Sequence, residues 1–332
     1  MIAGSPAGQK GNVRMPSRTA RLFAILILLA LPTGGAHAAS GDPAACAPVR
    51  LSNVGWTDAE AVTAVAATLF EALGYAPRTP MLALTMTYVA MRDRRVDAFL
   101  SNWEPSGSTP IAPFLADGSV ERLATNLSGA HYTLAVPDYV WQAGLRDYRD
   151  IAAWGSRLGY MIFGLEAGND GNALVLDMIR ANQFQLQRFR LVESSEQGML
   201  SQVDRMIQSH RPIVFLAWEP HPMNLRFALR YLTGGDKVFG PDGGATVNTV
   251  IRRGYRTDCP NAARLLARIR FTIPDENIMM LAIQRDHMPP PQVARRWLRG
   301  HPDAWHAWLD GVTTRDGAPS LPAMQAFLAP GG

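Results

Sequence analysis

The chain has little of what most catalytic or metal-binding readings require. Only two of its 332 residues are cysteines, Cys46 and Cys259. That is too few for a thiolate zinc site and, in an exported chain, suggests one disulfide. There is no G-x-S-x-G elbow, no H-E-x-x-H pair and no G-x-x-x-x-G-K-[ST] loop, so the usual hydrolase, zinc-protease and nucleotide signatures are missing. The seven histidines are dispersed, and His301 and His306 stand five apart, a spacing that does not share a helical face. Glycines 240, 243 and 244 lack dinucleotide spacing and read as turns. No cofactor and no metal are expected.

Long apolar runs are also missing. The run at 22–31 is far short of the roughly 20 residues that cross a bilayer. It follows Lys10, Arg14, Arg18 and Arg21 and precedes Ala36-His37-Ala38, the order of a secretory signal peptide with an A-x-A cleavage site. Residues 1–38 are therefore assigned as a signal peptide, with Met15 an alternative start. The segment carries four of the 32 basic residues and none of the 28 acidic ones. The remainder balances at 28 against 28, so no nucleic-acid or anionic-membrane partner is indicated. A lipid anchor at Cys46 is disfavoured because Cys46 lies well beyond the apolar run. These features predict a soluble periplasmic protein.

The remaining ~290 residues favour two domains over one. Short β-type runs at 49–54, 81–84, 96–100, 132–136, 158–163, 188–192, 212–216 and 246–252 alternate with helical patterns at 58–73, 87–94, 171–181 and 195–209. Thr57 with Glu60 predicts a capping box, and Gly74 a helix stop. The alternation predicts an α/β protein with mainly parallel sheets. The chain is expected to leave lobe one near 125 and return near 240. Lobe one is then 39–125 plus 240–332, and lobe two is 126–239. Asn126-Leu127-Ser128 is formally a glycosylation sequon, which carries little information by itself.

What the sequence does contain is tryptophan in a repeated setting. FLSNWEP at 99–105 and FLAWEP at 215–220 place Trp103 and Trp218, two of eight tryptophans, after similar apolar runs. Trp56 likewise follows a strand pattern, and Tyr132 begins one. Ligands of open α/β sheets bind at the carboxyl edge of the strands. Trp297, Trp305 and Trp308 fall in a helical region where packing explains them; Trp141 and Trp154 are unassigned. A ring of aromatic faces suits a quaternary ammonium, each face contributing about 0.5–2 kcal/mol. Three or four faces can support micromolar binding, which needs about 8 kcal/mol. Asp58 is either a carboxylate near that charge or an ordinary first-turn acid. Asn169 is either a contact to a polar end or a helix cap.

NVGWTD (53–58), SNWEP (101–105), AHYTL (130–134), EAGNDGN (166–172), ESSEQGML (193–200) and FLAWEPHPMN (215–224) resemble the glycine betaine/proline betaine/choline substrate-binding family of ABC importers, and most closely its choline branch. GGDKVFGP, GGATV and RTDCPN extend the resemblance over nearly the whole mature chain. The resemblance implies a type II periplasmic binding protein, with two α/β lobes and a ligand cleft between them. It implies an aromatic box of Trp56 and Trp103 from lobe one with Tyr132 and Trp218 from lobe two. Asp58 and Asn169 would hold the choline hydroxyl, and Cys46 would pair with Cys259. Glu104 is assigned no contact. The implied ligand is choline, with acetylcholine or betaine weaker. The implied partners are an ABC permease and its ATPase subunit, for a protein that is itself monomeric and no enzyme. The rival ligand is glycine betaine or proline betaine, whose carboxylate Asp58 would repel. An exported enzyme acting on choline esters or methylamines would need a nucleophile, metal or redox group that the sequence does not offer.

Overall fold

Two short strands, β1 (Pro48–Arg50) and β2 (Ala76–Arg78), flank the helix Thr57–Ala72 and pair in parallel in this computed structural model, which describes residues 41–329 and Met1. The proposed signal segment therefore lies outside the described residues, apart from Met1. The helix is rich in Ala, Val, Leu and Phe and is buried over most of its surface, as an apolar face all round dictates. It stops where expected, with Gly74 at φ +81°. The predicted capping box does not form. The helix already includes Thr57, and Trp56 is the cap residue. The Thr57 hydroxyl instead donates to the Glu196 carboxylate at 2.5 Å.

The main sheet has seven strands: β3 (Ala98–Glu104), β4 (Val120–Pro137), β5 (Met161–Phe163), β6 (Arg190–Val192), β7 (Phe215–Glu219), β8 (Leu229–Tyr231) and β9 (Gly244–Arg252). Their order is β3-β9-β4-β7-β5-β6, with β8 also on β4. The pairing corrects the expectation of mainly parallel sheets. β5 is parallel to β6 and β7, but β3–β9, β4–β9, β4–β7 and β4–β8 are antiparallel. Alternation implies parallel neighbours only when successive strands lie side by side. Here β3 is separated from β4 by the late strand β9.

Several boundaries differ as well. β3 and β7 run through their Trp-Glu pairs to Glu104 and Glu219, and both following X-Pro bonds are cis. β4 is 18 residues long where a strand at 132–136 was expected. It contains Asn126, whose buried amide donates to Leu100 O and Thr249 Oγ1, so the formal sequon is interior. The expected strand at 81–84 reduces to a bridge between Met81 and Asn53, and Leu84 opens the helix Leu84–Arg92. Near the C-terminus, Trp297 stacks on Trp308 at 5.7 Å between ring centroids, and the Trp305 indole donates to Leu298 O. These tryptophans pack, as expected. Trp141 and Trp154 lie under the guanidinium groups of Arg146 and Arg157. Cys46 and Cys259 form a disulfide across 213 positions.

Candidate functional site

Strand register places the first two rings. Tyr132 on β4 lies directly opposite Trp218 on β7, so their side chains leave the same face of the sheet. Their centroids are 6.0 Å apart at 81°, and Trp103 from β3 meets Tyr132 at 5.9 Å and 64°. Phe239 closes the far side of Tyr132 at 5.7 Å. These edge-to-face contacts fix the rings by packing. Trp56 arrives from the cap of the helix Thr57–Ala72, and its indole N–H donates to Glu166 Oε1 at 2.8 Å.

The four rings, Trp56, Trp103, Tyr132 and Trp218, line one small cavity together with Asp58, Leu165, Asn169 and Asp170. All six residues singled out from the sequence therefore converge on one cavity, and none is more than 5% exposed. Among the described residues, no Lys, Arg or His lines it. Asn169 is the cap of the helix Asp170–Arg180; its Oδ1 accepts from the Asn172 backbone and from the Tyr132 hydroxyl at 3.3 Å. Asn169 thus caps its helix and also lines the cavity. Gly171 must be glycine, because a Cβ there would stand 2.0 Å from the Tyr132 hydroxyl.

The electrostatics follow from burial. Asp58 is pushed up to about 7, first by burial and then by the Glu196 charge; the Trp103 indole N–H, donating at 3.1 Å, opposes the rise. Burial likewise raises Asp170 to about 6, against the Ser106 hydroxyl that donates to it at 2.5 Å. A cation entering the cavity would replace lost solvation for both carboxylates. Glu104 faces elsewhere, in an ion pair with Arg122.

Sequence reasoning gave no role to Glu166, Asp170 or Glu196, although all three lie in its quoted motifs. Glu196 accepts from Thr57 N (3.0 Å), Thr57 Oγ1, Gln284 Nε2 (2.7 Å) and His221 Nε2 (3.1 Å). Burial alone would raise its carboxyl, but the hydrogen bond from His221, together with the Thr57 donors, holds it below its ordinary value. Glu196 stands in the first turn of the helix Glu196–Gln208, a local position that gives no hint of these distant partners.

Residues 47–300 match the family described as the substrate binding domain of ABC-type glycine betaine transport system. The chain belongs to that family. A solved ABC-transporter choline binding protein in complex with choline is 48% identical, covering 87% of this chain and 100% of that one, with a TM-score of 0.85. An ABC-transporter choline binding protein in an unliganded semi-closed conformation is also 48% identical over 86% and 100%, with a TM-score of 0.80. Among curated relatives, the glycine betaine/carnitine transport binding protein GbuC of Listeria monocytogenes is 29% identical over 49% of this chain and 53% of its own length. This family member is thus the substrate-binding component of an ABC transporter, with the two-lobed type II periplasmic-binding-protein fold, and it is not an enzyme. Among the described residues, no helix is long and apolar enough to cross a membrane.

Proposed function

We propose that this protein captures choline and hands it to an ABC permease. The observation that carries the reading is the convergence of four aromatic rings and the Asp58 carboxylate on one buried cavity without a basic side chain. Trp56, Trp103, Tyr132 and Trp218 receive the trimethylammonium, a cation that cannot donate hydrogen bonds and is held by aromatic faces. The ligand hydroxyl donates to Asp58 and accepts from the Asn169 amide nitrogen. That nitrogen has no hydrogen-bond partner among the described residues, while Asn169 Oδ1 is already engaged.

In this reading lobe one is 39–125 plus 240–332 and lobe two is 126–239, and each contributes two of the rings. Ligand stabilises the closed form through contacts that exist only there. The signal segment is removed after Ala38 and the monomer works in the periplasm, delivering choline to a permease powered by a separate ATPase subunit. Glycine betaine is the second reading, favoured by the family description. Its carboxylate would face Asp58, which disfavours it whenever Asp58 is ionised.

Titration of intrinsic tryptophan fluorescence with choline tests the proposal. We expect saturation in the micromolar range and at least roughly tenfold weaker binding by Trp218→Ala, the upper part of the range for one lost cation–π face. No response in the parent protein sinks the box. Competition calorimetry in which betaine outbinds choline overturns the ligand.

A further inference from the structure

The cavity is not the only place where the two proposed lobes meet. Glu196, 2% exposed, sits at the end of the helix Glu196–Gln208 and accepts bonds from both sides of the cleft. Thr57 and Gln284 belong to the first assigned lobe; Glu196 and His221 belong to the second. The Thr57 backbone N–H is one of the unpaired donors at the start of the helix Thr57–Ala72, so Glu196 supplies from across the cleft the acceptor that the missing capping box does not. His221 Nδ1 accepts from Met223 N at 3.0 Å, which leaves its Nε2 hydrogen for Glu196. Gln284 Nε2 donates to Glu196 and to Thr57 Oγ1, closing a ring of bonds.

We infer that Glu196 is the latch of the closed cleft, a positioning residue that never touches the ligand yet sets how long it stays. Two further ties run the same way. Trp56 donates to Glu166 and Ser106 to Asp170, each a donor of the first lobe meeting a carboxylate of the second. Glu196 differs from both in having four donors, and unlike Asp170 it does not line the cavity. Its partners are also adjacent to the box in sequence: Thr57 stands between Trp56 and Asp58, and His221 lies 4.7 Å from the Trp218 ring. Forming the latch therefore sets the ring positions, and filling the box favours the latch. In an open cleft, water solvates the Glu196 oxygens that Thr57 and Gln284 reach; in the closed one these three donors replace it. Apparent affinity is the intrinsic affinity reduced by the fraction of molecules in the closed form, so removing the latch weakens binding without removing a ligand contact.

The inference rests on the choline reading and its lobe assignment. Stopped-flow choline dissociation and ligand-free small-angle scattering are measured on the parent protein, Glu196→Ala and Glu196→Gln. We expect Glu196→Ala to dissociate choline roughly 10- to 100-fold faster, the range for lost charge-assisted hydrogen bonds, with a wider ligand-free particle. Glu196→Gln, which keeps one acceptor oxygen, should fall between. If Glu196→Ala does not fold, Gln284→Ala removes a single donor from a partly exposed position and should shift both readouts less, in the same direction. Parent-like dissociation in the folded variants overturns the latch. So does a lower melting temperature with unchanged dissociation and scattering, which would mark a structural role only. A parent protein that does not bind choline defeats the functional reading instead, and scattering without ligand still decides the latch.

Discussion

Trp103 and Trp218 come from the same tripeptide on two strands of one sheet, yet they are anchored differently. The Trp103 indole N–H donates to Asp58, so this wall is bonded to the polar end of the cavity. Trp218 has its carbonyl held by the Asn224 amide at 2.8 Å and its ring set against His221, next to Glu196. One wall is thus tied to the group that tunes the ligand's charge environment, and the other to the group proposed to hold the cleft shut. Sequence repetition placed two similar rings; their different neighbours divide the work between them.

That division can be broken by substitution. Trp103→Ala removes an aromatic face and leaves the buried Asp58 carboxylate without its indole donor, so choline binding should weaken by about a hundredfold, measured by calorimetry. Trp218→Ala loses a face but strands no carboxylate; about tenfold is expected. If Trp218→Ala proves the more damaging, the asymmetry is wrong.

The next effect is on pH. Asp58 stands at about 7 in the empty pocket, and a bound cation favours its ionised form. The complex therefore holds fewer protons than the free protein. Choline affinity should be flat above about pH 7 and fall by up to about tenfold per unit below it. Asp170, at about 6, adds the same sign at lower pH. Calorimetry from pH 5.5 to 8.5 checks this, and Asp58→Asn should remove the upper step. Betaine should behave oppositely, because a protonated Asp58 can donate to its carboxylate. The smallest change is Trp103→Phe, which keeps a face and deletes the N–H donor. It should cost a few-fold in affinity and move the pH midpoint upward.

How much of this was legible in the sequence depends on whether the signal was local. Six of the eight cavity residues were named because each sits in a short motif, and the helices 58–73, 171–181 and 195–209 lie within two residues of the observed ones. Strand direction was not legible, since local periodicity says nothing about which strand lies alongside. The Thr57–Glu60 box failed for a related reason. A local partner was outcompeted by Glu196, 139 positions away, which offers a full charge to two donors of Thr57. Gln284 carried no local pattern, and His221, though inside FLAWEPHPMN, gave no sign of this role, because their common partner is assembled only by folding.

The long strand β4 has a consequence for motion. Its first part, from Val120 to His131, pairs with β9, and its last part pairs with β7 and β8. The β4–β9 ladder shifts register three times, between Arg122 and Ala124, Thr125 and Leu127, and Leu127 and Ala130. Such irregularities bend a strand and increase its local twist. β4 and β9 then form a bent, twisted ribbon, and under the proposed lobe division flexing it would open the cleft with the core of each lobe left intact.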